Sequence, residues 1–228
     1  YDAVVVCNGH FTTPHIPHIP GLTHFAQHKH LLHSHYYKNP TPFTQHKRVV
    51  VVGAGSSGVD LAVELCHVGV CHVILSHRAG VASIDGGTEG LRSLPNLVQK
   101  PPIRSIEVVT KNDKNDHDTK YDHDTKYDKD SKCDFRFYYE DGSYSDDVDA
   151  VLLCTGYEYD FPFFGSEMCN RGSGGDGDVS VSHDGDVSVS QKCGCRYVHV
   201  SHGCVQPLYL HLFHMSLPTL CFVGLPWR

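Results

Sequence analysis

The sequence predicts an α/β fold, and three observations carry that prediction. Four valines, Val49 to Val52, run straight into Gly53-x-Gly55-x-x-Gly58. Beyond the glycines, Val59, Ala62, Val63 and Cys66 recur at helical spacing, so one helix face can lie on a sheet. A second apolar run, residues 71–76, follows and ends at Ser76-His77-Arg78. A buried parallel strand reads as a continuous apolar run, and both runs do so. Gly53 suits a tight turn out of the strand. Gly55 allows backbone N–H groups to approach a pyrophosphate, and Gly58 allows close helix–strand packing with the helix N-terminus facing the anion. A glycine triplet alone is weak evidence, but a strand before it and a helix after it are what a dinucleotide site requires. Ser56 and Ser57 then sit at the helix start.

The end of the second strand indicates which dinucleotide. NAD sites place an Asp or Glu about 20 residues beyond the glycines on the ribose hydroxyls, whereas a nearby Arg accommodates the 2′-phosphate of NADP. Here the strand ends without a carboxylate, and Arg78 follows, with Ser76 and His77 as helpers. NADPH is the expected ligand.

Two other segments echo one another. Asp2-Ala3-Val4-Val5-Val6-Cys7-Asn8-Gly9-His10 and Asp149-Ala150-Val151-Leu152-Leu153-Cys154-Thr155-Gly156-Tyr157 each read as a strand ending in a polar residue, a glycine and an aromatic ring. They bracket the dinucleotide unit, as expected if that unit is inserted into a second domain and the chain crosses out and back. Residues 103–109 and 135–144 read as later strands, with Glu140-Asp141-Gly142-Ser143 as a turn signal. Residues 111–132 carry tandem copies of Asp-His-Asp-Thr-Lys-Tyr and almost no aliphatic side chain, which predicts a mobile hairpin tip. Residues 172–190 repeat Gly-Asp-Val-Ser-Val-Ser and read as loop growth. Residues 195–201 and 219–223 read as further strands.

Composition narrows the function classes. The 228 residues are 40% hydrophobic, which suits one large or two small globular domains. The formal net charge is −7 and the basic residues are scattered, so no nucleic-acid partner is expected. No protein partner is indicated. No apolar run approaches the roughly 20 residues needed to span a bilayer. The ten cysteines lack framework spacing, and no Cys-x-x-Cys pair occurs. A reducing, cytoplasmic setting is the expectation, with membrane association through segments outside this sequence left open. Cys193 and Cys195 with His199 and His202 match no standard metal spacing, so no metal is expected. The first residue is Tyr, and the sequence reads as one that begins inside a fold.

Several motifs in one order resemble the flavin-containing monooxygenases, which use NADPH and FAD to oxygenate soft nitrogen or sulfur atoms. Asn8-Gly9-His10-Phe11 through Pro20-Gly21-Leu22 looks like the family's first crossing, and Cys154-Thr155-Gly156-Tyr157 with Phe161-Pro162-Phe163 its second. Gly53 to Gly58 matches its NADPH motif, Ser56 and Ser57 included. Pro207-Leu208-Tyr209, Pro218-Thr219-Leu220 and Phe222-Val223-Gly224 resemble its late FAD-domain segment. Leu32 to Tyr37 looks like its signature F-x-G-x-x-x-H-x-x-x-[Y/F]. His33 and Tyr37 keep their spacing, but Phe25 lies eight residues before His33 instead of six, with no glycine between. The family's first glycine motif, which cradles FAD, is absent.

The resemblance implies a Rossmann-like NADPH-binding domain inserted in an incomplete FAD-binding domain. Residues 1–46 would be part of the FAD domain with the first crossing, 47–148 the NADPH domain, and 149–228 the second crossing and return. Gly53, Gly55, Ser56, Ser57 and Gly58 would hold the NADPH pyrophosphate and Arg78 the 2′-phosphate. Asn8, Gly9, Thr155 and Gly156 would line the cleft where nicotinamide and flavin meet. His33 and Tyr37 would hold a linker, and no catalytic side chain is assigned. The implied enzyme takes an amine or thioether and O2, while the fragment alone is expected to be inactive. A Baeyer–Villiger-type enzyme would place Trp where Tyr37 stands. A silent NADPH-binding remnant is the remaining alternative.

Overall fold

The computed structural model describes residues 1–78, 94–109, 134–164, 169–171, 178–181, 187–190, 198–201 and 204–225. Residues 111–132, the tandem-repeat segment, lie outside them, as do Cys193, Cys195 and His202 and most of residues 172–190. In chain order the elements are β1 (Val4–Val6), β2 (Thr13–Pro14), α1 (Leu22–His28), β3 (His30–His33), β4 (Arg48–Val52), α2 (Ser56–His67), β5 (His72–Ser76), β6 (Leu97–Lys100) and β7 (Ile103–Val109). They continue with β8 (Asp134–Tyr139), β9 (Tyr144–Ser145), β10 (Ala150–Leu153), β11 (Tyr157–Glu158), β12 (Cys169–Arg171), β13 (Asp178–Val181) and β14 (Val187–Ser190). The last are β15 (Val198–Ser201), β16 (Cys204–Gln206), β17 (Leu208–Tyr209), β18 (Phe213–His214) and β19 (Leu220–Phe222). Two compact units result. One comprises Tyr1–Ile16, Gly156–Ser180 and Ser188–Arg228, the other Pro17–Thr155 and Val181–Val187.

The unit containing the glycine motif is built on a five-stranded parallel sheet in the order β3-β10-β4-β5-β6. Its valine run is buried because the sheet is covered. Val49, Val51, Val73, Leu75, Ala150 and Leu152 face α2, whose Ala62, Leu65 and Cys66 complete a continuous core. The inward helix face is Gly58, Ala62, Leu65 and Cys66, so Leu65 takes the place expected for Val63, which is only partly buried. Asn96 clasps the end of α2, its side-chain amide donating to the carbonyls of Cys66 and Val70.

A three-stranded antiparallel sheet, β7-β8-β9, belongs to the same unit. Its β8–β9 turn is the expected one: Asp141 Oδ1 accepts from the backbone N–H and the hydroxyl of Ser143, and Gly142 has a positive φ of 80°. Helix α1 packs here, with Phe25 fully buried and edge-on to Phe135 and Phe137 at 5.0 and 5.3 Å.

These contacts move the domain boundaries. Residues 17–46 were expected outside the dinucleotide unit, yet Phe25 packs on β8 and β3 pairs with β10 inside the parallel sheet. Likewise β10 was expected to open the return segment, but it lies between β3 and β4, all four residues buried. The boundaries fall at 16/17 and 155/156 rather than 46/47 and 148/149. The expected loop at 172–190 also contains strands: its alternating Val-Ser segments form β13 and β14, which pair with each other, since period-two alternation is a strand pattern.

In the other unit β1 pairs in parallel with β19, and the sheet continues through β18 to β17. Val6, Leu220 and Phe222 point into a core with Phe161, Val198 and Val205. Across the opposite face Val5, Cys221, Phe213 and Tyr209 are register neighbours, and Val5, Phe213 and Tyr209 are exposed. Strands β12, β15 and β16 form a separate sheet. Cys7 and Cys71 are exposed, because each lies just outside its strand. Among the described residues no helix is long and apolar enough to cross a membrane, and no cluster suits a metal ion.

A candidate dinucleotide site at the 53–58 turn

Each glycine of the motif has its own reason. Gly53 adopts φ of 101°, and a Cβ there would collide with the Cys154 carbonyl oxygen at the end of β10. A Cβ on Gly58 would strike the Gly53 carbonyl oxygen, so the helix packs backbone to backbone on the turn. Gly55 differs. A Cβ there would meet nothing within 4 Å, and Gly55, Ser56 and Ser57 are exposed. No side chain caps α2, whose N-cap is Gly55. An uncapped helix start presents several backbone N–H groups and the positive end of the helix dipole outward. Such an opening is the kind of place an anion can approach, and a side chain at position 55 would enter it.

Behind the turn stands the segment from His33 to Tyr37. His33 is fully buried, and its Nδ1 accepts the His35 N–H at 3.0 Å, so a neutral ring carries its proton on Nε2. Tyr37 donates a 2.8 Å hydrogen bond to Glu64 of α2. Burial, then the Glu64 carboxylate, push its phenol well above the ordinary range. Cys154, directly below Gly53, is pushed up to about 12 by burial, against a hydrogen bond with Ser34. A thiol so placed stays protonated and serves as packing. His33 and Tyr37 thus make supporting hydrogen bonds around the turn.

The Gly53 N–H donates to the Ser76 carbonyl at 2.8 Å, which brings the end of β5 against the turn. Side chains alternate along β5, so Leu75 and His77 share the α2 side and Ser76 faces away. Ser76 is buried, and its hydroxyl donates to the Pro101 carbonyl at 2.9 Å. The expectation that Ser76 helps hold a 2′-phosphate is therefore corrected: its pleat position and its own hydrogen bond take it to the other face. Arg78 is exposed just beyond. His77 contacts the Arg78 carbonyl through Nδ1 and Gln99 Oε1 through Nε2, both at 3.0 Å. Gln99 is the residue that motif reading missed. It is the register partner of Leu75 and hence on the α2 side, a position the alternation of β6 encodes once the pairing is known.

Asn8, Gly9 and Gly156 lie in the other unit, and Thr155 is the last residue before the crossing. Asn8 donates to the Asp160 carbonyl at 2.9 Å. The two crossing segments are zipped together by the β2–β11 ladder, by His15 N–H to the Gly156 carbonyl, and by His15 to Glu158 at 3.0 Å.

A parallel sheet, an open glycine turn and an uncapped helix make an α/β unit of the dinucleotide-binding architecture. Comparison with known proteins agrees. Residues 1–88 match the flavin-binding monooxygenase-like family model. The chain is 32% identical over 230 residues to flavin-containing monooxygenase FMO GS-OX-like 8 of Arabidopsis thaliana, covering 99% of this chain and 36% of that protein. With trimethylamine monooxygenase of a Roseovarius species the identity is 29%, over 74% of this chain and 29% of the relative. Among solved structures, Tmm from a Pelagibacter species superposes with a TM-score of 0.58 at 20% identity, covering all of this chain and 37% of that one. The chain belongs to the flavin-containing monooxygenase family, and it spans just over a third of the length of the relative from Arabidopsis.

Proposed function

We propose that this chain is the NADPH-binding part of an FAD-dependent monooxygenase that oxygenates a soft nitrogen or sulfur atom of a small molecule. The observation that carries the reading is the cradle at Gly55: open space over an uncapped helix start, on a turn whose other two glycines are closed by backbone. In it, the backbone N–H groups of residues 55–58 would hold the pyrophosphate and Arg78 the 2′-phosphate. The chemistry supplied by the two cofactors, when bound, is hydride delivery from the nicotinamide and oxygen activation at the flavin. The part of this chain is to bind, orient and exclude water, with the 33–37 segment keeping the turn in place. Among the described residues the turn at 53–58 is the one strand–glycine–helix cradle, so no residue here is assigned to the FAD pyrophosphate. An amine substrate is supported by the trimethylamine monooxygenase relative.

The test joins the 228 residues to the FAD-binding N-terminal region of a family member and follows NADPH consumption with trimethylamine and with a thioether. Oxygenated product that depends on NADPH and flavin is the expected result, with none from the 228 residues alone. A joined protein that binds both cofactors and yet forms no product would favour a silent nucleotide-binding remnant.

A further inference from the structure

Arg78 does not stand alone at the end of β5. Its carbonyl oxygen is bound by the His77 ring, and the other ring nitrogen of His77 reaches Gln99 Oε1 on the neighbouring strand, both at 3.0 Å. The His77 N–H also donates to the Lys100 carbonyl at 3.0 Å, so the residue is fixed to β6 by backbone and side chain together. A carbonyl oxygen only accepts, which places the Nδ1 proton on His77. A neutral ring then receives the Gln99 contact from the amide nitrogen, the two ends of that amide being interchangeable, and a protonated ring donates to the amide oxygen. In either state the imidazole bridges Gln99 to the Arg78 peptide.

We propose that Gln99 is a positioning residue for nucleotide selection: through His77 it sets the direction in which the chain leaves β5 and so where the Arg78 guanidinium meets a 2′-phosphate. Gln99 is exposed and lies on the α2 side of the sheet with Leu75 and His77, the side on which the open glycine turn presents its N–H groups. A nucleotide whose pyrophosphate occupies that turn runs its adenosine ribose over the end of β5, because the Gly53 N–H and the Ser76 carbonyl join the two. An arginine with an unbraced backbone samples more rotamers and positions, and a charge-assisted contact then costs more ordering entropy. Loss of the brace weakens the phosphate contact without touching the rest of the site. This inference rests on the NADPH reading above.

The experiment measures dissociation constants of NADPH and NADH for the 228-residue chain and for Gln99→Met, His77→Phe, Arg78→Ala and the Arg78→Ala/Gln99→Met pair. Both Gln99→Met and His77→Phe are expected to weaken NADPH by about three- to tenfold, the loss of one hydrogen bond's effect, and to leave NADH unchanged. Arg78→Ala should remove the preference for NADPH, and adding Gln99→Met to it should change nothing further. A Gln99→Met variant that keeps the full preference, or weakens both nucleotides equally, overturns the positioning role while leaving Arg78 and the NADPH reading in place. Equal binding of the two nucleotides by the unaltered chain, or an Arg78→Ala variant that still prefers NADPH, overturns the NADPH reading and the role of Gln99 with it.

Discussion

The phenol of Tyr37 donates a 2.8 Å hydrogen bond to Oε2 of Glu64, tying the segment after β3 to the middle of the helix that starts at the glycine turn. The same segment touches the turn from below through Ser34 and Cys154. The region that resembles a family signature is thus packed against the glycine turn and its helix. A second ring contact, Tyr37 stacked on Phe43 at 5.9 Å, fixes the phenol's direction.

Replacing Tyr37 with Phe keeps the ring packing and removes the hydrogen bond. The expected loss is about 1 kcal/mol, or roughly 2–4 °C in melting temperature. The variant also changes the alkaline behaviour. Burial and Glu64 raise the folded-state pKa of Tyr37 above its ordinary value of 10. An unfolded chain therefore releases this proton first, and the stability it contributes is present below pH 10 and lost as pH rises beyond it. Urea titrations from pH 8 to 11 should show a shallower alkaline loss in Tyr37→Phe than in the unaltered chain. Parallel slopes would show that the phenol is not held by Glu64.

The glycines at 55 and 58 separate binding from folding. Gly58→Ala places a methyl group against the Gly53 carbonyl and should destabilise the unit by roughly 1–3 kcal/mol, with nucleotide binding lost as the turn opens. Gly55→Ala places its methyl group in open space, so the melting temperature should hold within the usual surface range of about 0.5 kcal/mol. NADPH affinity should nevertheless fall at least about tenfold, the size of a lost charge-assisted contact. Thermal melts and NADPH titrations on the two variants check both statements. Undiminished affinity in Gly55→Ala would mean that the opening is not the phosphate cradle.

At acid pH the pair His30 and His46 should matter. His30 is stacked on Phe43 at 4.9 Å and its ring lies 5.6 Å from that of His46. Burial, then the neighbouring His46, hold His30 below its ordinary 6.5; burial also lowers His46, partly offset by Asp149 and reinforced by Lys29. A histidine with a lowered folded-state pKa binds its proton more readily when unfolded. Its stabilising contribution is present above pH 6.5 and disappears as pH falls through that value and below. Denaturation midpoints measured between pH 7.5 and 5 should drop less steeply in His46→Gln than in the unaltered chain.

Much of the dinucleotide unit could be read from the residues because its signals are local. Val49 to Val52, the glycines and the apolar run at 72–76 each announce themselves within a few positions, and β7 and the Asp141-Gly142 turn likewise. What escaped was long-range. His30-Leu31-Leu32-His33 does not look like a strand, since two of its four residues are histidines, yet β10 supplies the partner that makes it one. Leu97 to Lys100 is too short and polar to stand out, and it becomes a strand only by pairing with β5. Ser76 was misread for a related reason: a residue at a strand end looks available until the pleat shows which side it faces. Gln99 stayed hidden because its neighbour across the sheet, Leu75, is 24 positions away in the chain.

The place of β10 has a consequence for how the protein is made. Of the five parallel strands it emerges last from the ribosome, yet it alone joins β3 to β4. Until residues 150–153 are translated, the earlier strand and the valine run have no hydrogen-bonded link, and the Cys154 carbonyl that Gly53 rests against does not exist. Every contact of this kind closes a loop of more than a hundred residues or nearly so, the class of pairing that slows folding most. The nascent valine strand therefore has one flank bare until β10 is made.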